Sequence, residues 1–322
     1  MDKIDATPVS RPDAGASNNV TETTALGSWG RPQVLGTPDG ERARAMMEAA
    51  LFGDRDAPAI GRYRLLHRLG EGGAGVVYAA HDDTLGRKVA VKVLRDVRLE
   101  NAEARARVLL EARALARLSH PNVVQVYEIG EHAQQVFVAM ELVDGPTVRE
   151  WMAARRRSWR EVVGIMCQAA AGLAAAHRAG IIHRDFKPAN AIVGNDGRVR
   201  VVDFGIARVD AESVRPALAA VDAPVTRWTM TGSILGTPAY MAPEQLSGAP
   251  VDASTDQFAF CVAVFEALYG ERPFAGATLG ALFVSLVAEP AAPVNRDVPA
   301  WLDRIIRRGL ARDPADRWPS ME

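Results

Sequence analysis

IIHRDFKPAN, residues 181–190, is the stretch that decides the fold. It places Asp185 directly after a His-Arg pair and Asn190 five positions after the aspartate. DFG follows at residues 203–205, and GTPAYMAPEQ follows at 236–245. Each motif alone is weak evidence, because short motifs also arise by chance. Occurring in this order with sensible gaps, the motifs are far beyond chance.

A glycine-rich stretch, LGEGGAGVVYAA at residues 69–80, admits two interpretations. The pattern G-x-G-x-x-G opens dinucleotide-binding folds, and it also covers phosphates in other proteins, because glycine lets the backbone approach a phosphate closely. A dinucleotide-binding loop requires a helix after it and an acidic residue about 20 positions further on. Here the strand-like segment VVYAA follows, and the residue 22 positions after Gly70 is Lys92. This context excludes the dinucleotide fold and favours phosphoryl transfer.

Composition limits the classes of function. The chain has 322 residues, of which 48% are hydrophobic and 24% charged, and its formal net charge is -1. Such a chain is globular, is long enough for two lobes, and has no overall positive field for nucleic acid. The two cysteines give no disulfide framework, which favours a reducing, cytoplasmic location. There is no signal peptide, and the longest apolar run, at 162–176, is too short for a membrane segment.

Patterning divides the chain into three parts. Residues 1–58 are rich in small and polar residues and are predicted to be disordered, apart from a short helix at 41–53. Residues 59–142 are predicted to form three strands, one helix and two strands. Residues 143–322 are mostly helical by the same criteria. The fold class is therefore α+β, with a β-rich lobe and a helical lobe around a cleft that suits a ligand.

Together, the four motifs resemble those of the eukaryotic-type (Hanks-type) serine/threonine protein kinases of bacteria. The resemblance runs from about Tyr63 to the end of the chain. It implies the bilobal protein-kinase fold, with one main helix in the β-rich lobe and a helical lobe cut short at its last helix. It also implies that the γ-phosphoryl group of ATP is transferred to serine and threonine hydroxyls of proteins. The metal implied is Mg²⁺, with Mn²⁺ as the alternative ion.

The resemblance assigns an ATP site to the β-rich lobe. The glycine loop would cover the phosphates, and Lys92 would pair with the α- and β-phosphates. Met140 stands at the gatekeeper position, and the hinge after it would hydrogen-bond adenine. Ala74 departs from the bulky residue that is usual at the loop tip. The full set expected around ATP is Leu69, Gly70, Glu71, Gly72, Gly73, Ala74, Gly75, Val77, Ala90, Lys92, Met140, Glu141 and Val143.

Catalytic and metal-binding roles follow from the same resemblance. An aspartate would orient the substrate hydroxyl or accept its proton, and a lysine two positions later would contact the γ-phosphate. That lysine indicates serine/threonine rather than tyrosine specificity. A glutamate in the predicted helix at 101–119 would pair with the strand lysine. The expected catalytic residues are Asp185, Lys187, Lys92 and Glu111, and the expected metal ligands are Asn190 and Asp203.

Six further residues are expected to be structural. Asp256 would brace the backbone of the catalytic loop, and Arg317 would pair with Glu244. A histidine would pack under the phenylalanine of DFG rather than move protons. The full set is His183, Phe204, Gly205, Glu244, Asp256 and Arg317.

Regulation is expected at the segment between DFG and GTPAYMAPEQ. Arg184, just before the catalytic aspartate, would need a counter-charge from a phosphorylated activation loop. Thr229 and Thr231 are the predicted autophosphorylation sites, and self-association would allow the reaction to occur in trans. The insertion at 209–225 has no readable role.

The alternative is a pseudokinase that acts as a scaffold or as a nucleotide-responsive switch. Such proteins usually lack the strand lysine or one of the aspartates, whereas Lys92, Asp185 and Asp203 are all present. The expected partners are protein substrates, with no nucleic acid and no membrane segment. Neither the substrates nor the upstream signal can be predicted from these motifs.

Overall fold

The structure is a computed structural model that describes most of the chain from residue 58 onward and a short part before it. Several predictions fall outside the described residues: the disorder of the first residues, the insertion at 209–225, and the residues Gly73, Ala74, Thr229 and Thr231. Of the helix predicted at 41–53, residues 41–42 and 45–46 are described, and they are helical. The described residues are 38–42, 45–46, 58–72, 75–94, 102–133, 135–205, 238–274, 276, 281–282, 284–285, 290 and 297–322.

A six-stranded antiparallel sheet forms the N-terminal lobe. It follows the order β1-β2-β3-β4-β6-β5. The central strand β4 is rich in valine and is buried at its last six residues, as suits a strand covered on both faces. The strands are β1 (Ala59–Ile60), β2 (Tyr63–Gly72), β3 (Gly75–Asp82), β4 (Arg87–Leu94), β5 (Val126–His132) and β6 (Gln135–Glu141).

The two faces of this sheet bury different side chains. On one face, the rings of Tyr63 and Phe137 meet edge to face with centroids 5.9 Å apart. On the other face, Ala90 and Val138 belong to the same core as Leu115 of helix α1 (Ala102–Arg117). Because residues alternate across a strand, this second face is the one that meets the helix and the cleft.

Helices form most of the C-terminal lobe. Thr147 and Ser158 begin α2 and α3 with capping boxes, in which Glu150 and Glu161 accept a hydrogen bond from the main chain of the cap residue. The apolar lengths of α3 and α5 pack together in the core of the lobe. The helices are α2 (Val148–Ala154), α3 (Trp159–Arg178), α4 (Pro243–Ser247), α5 (Ala253–Tyr269) and α6 (Ala300–Gly309).

A short hairpin positions two of the sequence motifs. It consists of β7 (Ala191–Val193) and β8 (Val199–Val201). The stretch IIHRDFKPAN, which we call the catalytic loop, directly precedes β7, and DFG follows β8. Asn122, in the segment after α1, donates its side-chain amide to the carbonyl of Val199 at 2.8 Å. Its own carbonyl accepts the N–H of Val201 at 2.9 Å. The hairpin is thereby tied to the segment that leads from α1 into β5.

The element order confirms the predicted α+β fold of two lobes. The structure adds the short strand β1 and places the predicted helix of 101–119 at Ala102–Arg117. The domain limits proposed at 58 and 142 stay predictions. The apolar run at 162–176 lies within α3, and in the described part of the chain no helix is long and apolar enough to cross a membrane.

A buried ion pair joins α4 to the end of the chain. Arg317 donates from Nη1 and Nη2 to the two carboxylate oxygens of Glu244, at 2.8 and 2.9 Å. The hydroxyl of Thr255 donates to the same carboxylate at 2.8 Å, and Arg317 also donates to the carbonyl of Ala311. Burial opposes ionisation of Glu244, but the hydrogen bonds from Arg317 hold its pKa below the ordinary value.

We expect Arg317→Met to lower the free energy of unfolding by about 3 kcal/mol, because it leaves the Glu244 carboxylate buried without its cationic partner. Since the pKa of Glu244 is lower in the folded protein, the pair stabilises above the unfolded value of 4.5, and this contribution is lost as the pH falls through the folded value. Urea unfolding at neutral and acidic pH measures the effect. Arg312→Met is the matched control, and equal stability of the two variants at neutral pH would contradict the prediction.

Candidate active site

A buried aspartate holds the catalytic loop. Asp256 of α5 is 1% exposed, and its two oxygens accept the main-chain N–H groups of His183 at 2.7 Å and Arg184 at 2.8 Å. Arg184 has φ +64°, a left-handed conformation that is unfavourable for a residue with a side chain. The two hydrogen bonds stabilise this conformation and so fix the backbone that leads into Asp185.

His183 is fully buried next to the phenylalanine of DFG. Its ring centroid lies 4.7 Å from that of Phe204. Its Nδ1 accepts the main-chain N–H of Asp185 at 3.3 Å, so Nε2 carries the proton and donates it to the carbonyl of Val202 at 2.9 Å. Burial lowers the pKa of His183, and the neutral ring has both nitrogens engaged. These contacts support a structural role.

The carboxylate of Asp185 lies between a lysine and an asparagine. Lys187 Nζ donates to Asp185 Oδ2 at 2.9 Å. Asn190 Nδ2 donates to the main-chain carbonyl of Asp185 at 2.8 Å and lies 3.4 Å from its carboxylate. The loop therefore closes on itself and presents a carboxylate and an ammonium group together.

Asn190 and Asp203 are the residues predicted to bind a divalent cation. Asn190 is buried, its Nδ2 donates to the main-chain carbonyl of Asp185, and its side-chain oxygen makes no hydrogen bond with a described residue. The main-chain carbonyl of Asn190 accepts the N–H of Val202 at 2.9 Å, and Asp203 is the next residue along the chain. An amide and a carboxylate suit Mg²⁺, which takes few protein ligands and completes its shell with water and phosphate. In the described ranges, no three His, Cys, Asp or Glu side chains form a metal cluster.

The strand lysine contacts the DFG aspartate and not the helix glutamate. Lys92 is 8% exposed, and its Nζ donates to Asp203 Oδ1 at 3.0 Å. Glu111 of α1 instead accepts a hydrogen bond from Arg184 Nη1 at 3.2 Å. The predicted pair of Lys92 with Glu111 is therefore not formed in this arrangement. The physical reason is that the guanidinium group of Arg184 lies within hydrogen-bond distance of Glu111 on α1. A guanidinium group is a strong partner for a carboxylate.

The glycine loop is a β-hairpin whose glycines differ in what they require. In the register, Gly70 faces Val77 and Gly72 faces Gly75. Gly75 has φ +148°, and a Cβ there would lie 2.0 Å from the carbonyl oxygen of Val93, so a side chain does not fit. Among the described residues, no atom lies within 4 Å of a Cβ built on Gly70 or Gly72. Of these three glycines, Gly75 is therefore the one that the described structure requires for steric reasons.

The residues predicted to enclose adenine come from adjacent strands. Val77 on β3 faces Lys92, and Ala90 on β4 faces Met140 on β6. Ala90 and Met140 are 6% and 7% exposed. The other predicted members include the exposed Leu69, the half-buried Val143, and Glu71, which pairs with Arg68.

An arginine that the sequence analysis did not single out anchors the hinge. Arg200 of β8 donates from Nε to Glu141 Oε1 at 2.8 Å. Its other nitrogens, Nη1 and Nη2, donate to the two oxygens of Asp196, each at 2.9 Å. Asp196 is the central residue of the turn NDG, and Arg200 follows it by four positions, which is the one sequence signal for their pairing. Hydrogen bonds from Arg200 hold the pKa of Asp196 well below its ordinary value.

Comparison with known families decides the identity. The profile of the protein kinase domain matches residues 63–322. The chain belongs to the protein kinase family. This family uses ATP and a divalent metal ion, and it acts on protein substrates. The chain is similar to bacterial serine/threonine-protein kinases and to the solved structure of a bacterial kinase domain.

Two relatives come from Mycobacterium tuberculosis. The chain is 38% identical over 269 residues to serine/threonine-protein kinase PknA, and the alignment covers 81% of the chain and 59% of PknA. It is 38% identical over 262 residues to serine/threonine-protein kinase PknL, and this alignment covers 80% of the chain and 62% of PknL. The crystal structure of the PknI kinase domain of the same organism superposes with a TM-score of 0.61 at 29% identity, covering 82% of the chain and 94% of that domain. The chain thus spans less than two thirds of the length of PknA and PknL.

Proposed function

We propose that this chain transfers the γ-phosphoryl group of ATP to serine and threonine hydroxyls of proteins. The proposal depends on one observation above all: Lys92 contacts Asp203 at 3.0 Å while Lys187 contacts Asp185 at 2.9 Å. Catalysis of phosphoryl transfer consists mainly of positioning the reactants and stabilising charge. Two lysines can stabilise the negative charge of the phosphates, and two carboxylates can position a hydroxyl group and a metal ion. The names of the relatives support serine/threonine rather than tyrosine specificity.

Asp185 is the residue proposed to receive the substrate hydroxyl. Its carboxylate would orient the hydroxyl toward the γ-phosphate and accept its proton as the new oxygen–phosphorus bond forms. The bond between the γ-phosphorus and the β–γ bridging oxygen would break in the same step, and ADP would leave. Lys187, now paired with that carboxylate, would turn to the γ-phosphate when ATP is present. Because Asp185 is a weak base, its fixed position contributes more than its basicity.

Asn190 and Asp203 are the residues proposed to hold Mg²⁺, with Mn²⁺ as the alternative. The ion would neutralise negative charge on the ATP phosphates. Lys92 would leave Asp203 for the α- and β-phosphates, and Glu111 would then support Lys92 from α1. The glycine loop would lie over the phosphates, where the open space above Gly70 and Gly72 supports close approach of a ligand.

Transfer of label from γ-labelled ATP to a serine- and threonine-containing protein tests the proposal. We expect Asp185→Asn to reduce the rate about 100-fold or more, because the amide cannot accept the proton. Arg198→Met, an exposed change on the β7–β8 turn, should transfer at the wild-type rate. A wild-type rate in Asp185→Asn would contradict the mechanism, and no transfer by any form of the wild type would support the pseudokinase alternative.

Autophosphorylation is proposed as the means of activation. Arg184 now pairs with Glu111 at 3.2 Å, and a phosphate on Thr229 or Thr231 would offer it a stronger partner. Glu111 would then be released to Lys92. The reaction would occur in trans between transiently associated copies.

We expect a Thr229→Ala and Thr231→Ala double variant to lose about tenfold or more in activity toward an added substrate, because Arg184 then keeps Glu111. Mass spectrometry of the active wild type should locate phosphate on one or both threonines. The rate per molecule should rise with enzyme concentration if the reaction is in trans. Full activity of the double variant would contradict this model of activation.

The hinge anchor leads to a prediction for nucleotide affinity. We expect Arg200→Met to weaken ATP binding about tenfold, because the loss of a charged hydrogen bond at 2.8 Å releases Glu141 next to the proposed adenine contacts. Arg200→Lys should recover part of the loss, and Arg198→Met should bind as the wild type does. Titration calorimetry measures the three affinities. Equal affinities of Arg200→Met and Arg198→Met would show that the anchor does not position the hinge.

A further inference from the structure

A strip of aromatic side chains lies on the surface of the C-terminal lobe and shares no residue with the active site. Trp301 is 48% exposed, and Ile305, one turn later on α6, is 43% exposed. The ring of Trp159, at the start of α3, meets that of Trp301 edge to face with centroids 6.2 Å apart. Trp318 donates its indole N–H to the carbonyl of Ile305 at 3.0 Å. We call these four residues the tryptophan strip.

The periodicity of α6 turns this strip outward. Leu302 and Ile306 are 7% and 3% exposed and belong to the core. Trp301, Arg304 and Ile305 have the spacing i, i+3, i+4, which places them together on the solvent side of the same helix. Tryptophan and arginine side by side are the residues most enriched at the centres of protein interfaces. Trp301 contacts Trp159 and lies one turn from Ile305, so these apolar groups are adjacent rather than scattered singly over the surface, which favours an interaction site.

Arginines surround the strip. The guanidinium of Arg160 lies 4.3 Å from one tryptophan ring centroid, and that of Arg308 lies 4.0 Å from another. Arg156 and Arg304 are also exposed. As far as the structure describes the chain, no carboxylate lies within ion-pair distance of these four arginines, in contrast to Arg155, which pairs with Glu161. These four arginines therefore outnumber the one carboxylate that lines the adjoining cavity, Asp297, and give the strip a positive border.

A cavity adjoins the strip at Trp159. Its volume is about 410 Å³, which is enough for a bulky side chain. Leu268 and Val298 supply apolar walls, and two arginines stand at its edge. The complete lining is Arg156, Arg157, Ser158, Trp159, Leu268, Asp297 and Val298.

We propose that the tryptophan strip and its cavity form a docking surface for an acidic polypeptide segment of a protein partner. One bulky apolar side chain of the segment enters the cavity, and its carboxylates pair with Arg156, Arg160 and Arg304. Charge complementarity selects an acidic partner, and the aromatic surface contributes most of the affinity. The surface shares no residue with the active site, so binding there leaves the residues around Asp185 uncovered.

A nucleic acid suits this surface less well. Trp159 and Trp301 meet at an interplanar angle of 82°, so they offer no pair of parallel rings on which successive bases could stack. The net charge of the chain is -1, which provides no long positive path for a phosphate backbone. A pocket beside a short charged strip is better matched to a side chain flanked by carboxylates.

Binding of a fluorescently labelled copolymer of glutamate and tyrosine tests the proposal without ATP, so the result does not depend on phosphoryl transfer. We expect the wild type to bind it, with affinity that falls as salt is raised. The triple variant Arg156→Glu, Arg160→Glu, Arg304→Glu should bind about tenfold or more weakly, and so should Trp301→Ala. The control is Arg113→Glu, Arg117→Glu, Arg198→Glu, which makes the same change in charge at exposed positions elsewhere.

Several outcomes would overturn the proposal. These are no binding by the wild type, or equal affinity of the triple variant and its control. Tighter binding of oligo(dT) than of the copolymer, lost in the triple variant, would assign the surface to nucleic acid. A dimer seen by light scattering that Trp301→Ala dissociates would assign it to a second copy of the chain. The melting temperature of each variant is measured to show that it folds. If Trp301→Ala is unstable, the triple variant decides the outcome, because the three arginines that it replaces are exposed.

Discussion

The carboxylate of Asp256 accepts main-chain hydrogen bonds from His183 and Arg184, and the arrangement of the cleft depends on it. It is buried, and it comes from α5 in the middle of the C-terminal core. The conformation of Arg184, with φ +64°, is unfavourable by itself and is held by these bonds. Through that backbone, the core determines where Asp185 and the catalytic loop face. The precision of the proposed reaction therefore originates in packing that is distant in sequence.

Charges in the cleft are paired with one another. Lys92 pairs with Asp203, Lys187 with Asp185, and Arg184 with Glu111 (distances of 3.0, 2.9 and 3.2 Å). Each pair avoids an unpartnered charge in a partly buried place. Each is also exchangeable, because phosphates and a metal ion would provide alternative partners for the same groups. On the proposed function, nucleotide binding is an exchange of partners rather than the filling of an empty site.

Motif order was sufficient to predict the fold of two lobes, whereas the roles of the site residues stay predictions. Asn190 contacts Asp185 because both lie in one short loop, and Asp203 follows the β7–β8 hairpin that this loop leads into, so local spacing encodes their arrangement along the chain. The partner of Glu111 could not be predicted in this way. Its choice between Lys92 and Arg184 depends on where α1 lies against the catalytic loop, which no local pattern specifies.

Two other features also escaped the sequence analysis for physical reasons. Arg200 reaches Glu141 across a sequence separation that only the folded hinge brings together. The segment at 299–313 is amphipathic, but that pattern alone does not show that Trp301 and Ile305 lie on the exposed face of the helix. The glycine pattern identified three equivalent positions, whereas the backbone makes only Gly75 sterically necessary among them.

Binding of ADP with and without Mg²⁺, measured by calorimetry on the wild type and Asp203→Asn, tests the exchange of partners most directly. The account predicts that Mg²⁺ strengthens ADP binding in the wild type and that Asp203→Asn loses this dependence. It also predicts that Asp203→Asn still binds ADP without metal, because Lys92 is released from its carboxylate partner. Equal strengthening by Mg²⁺ in both proteins would contradict the account.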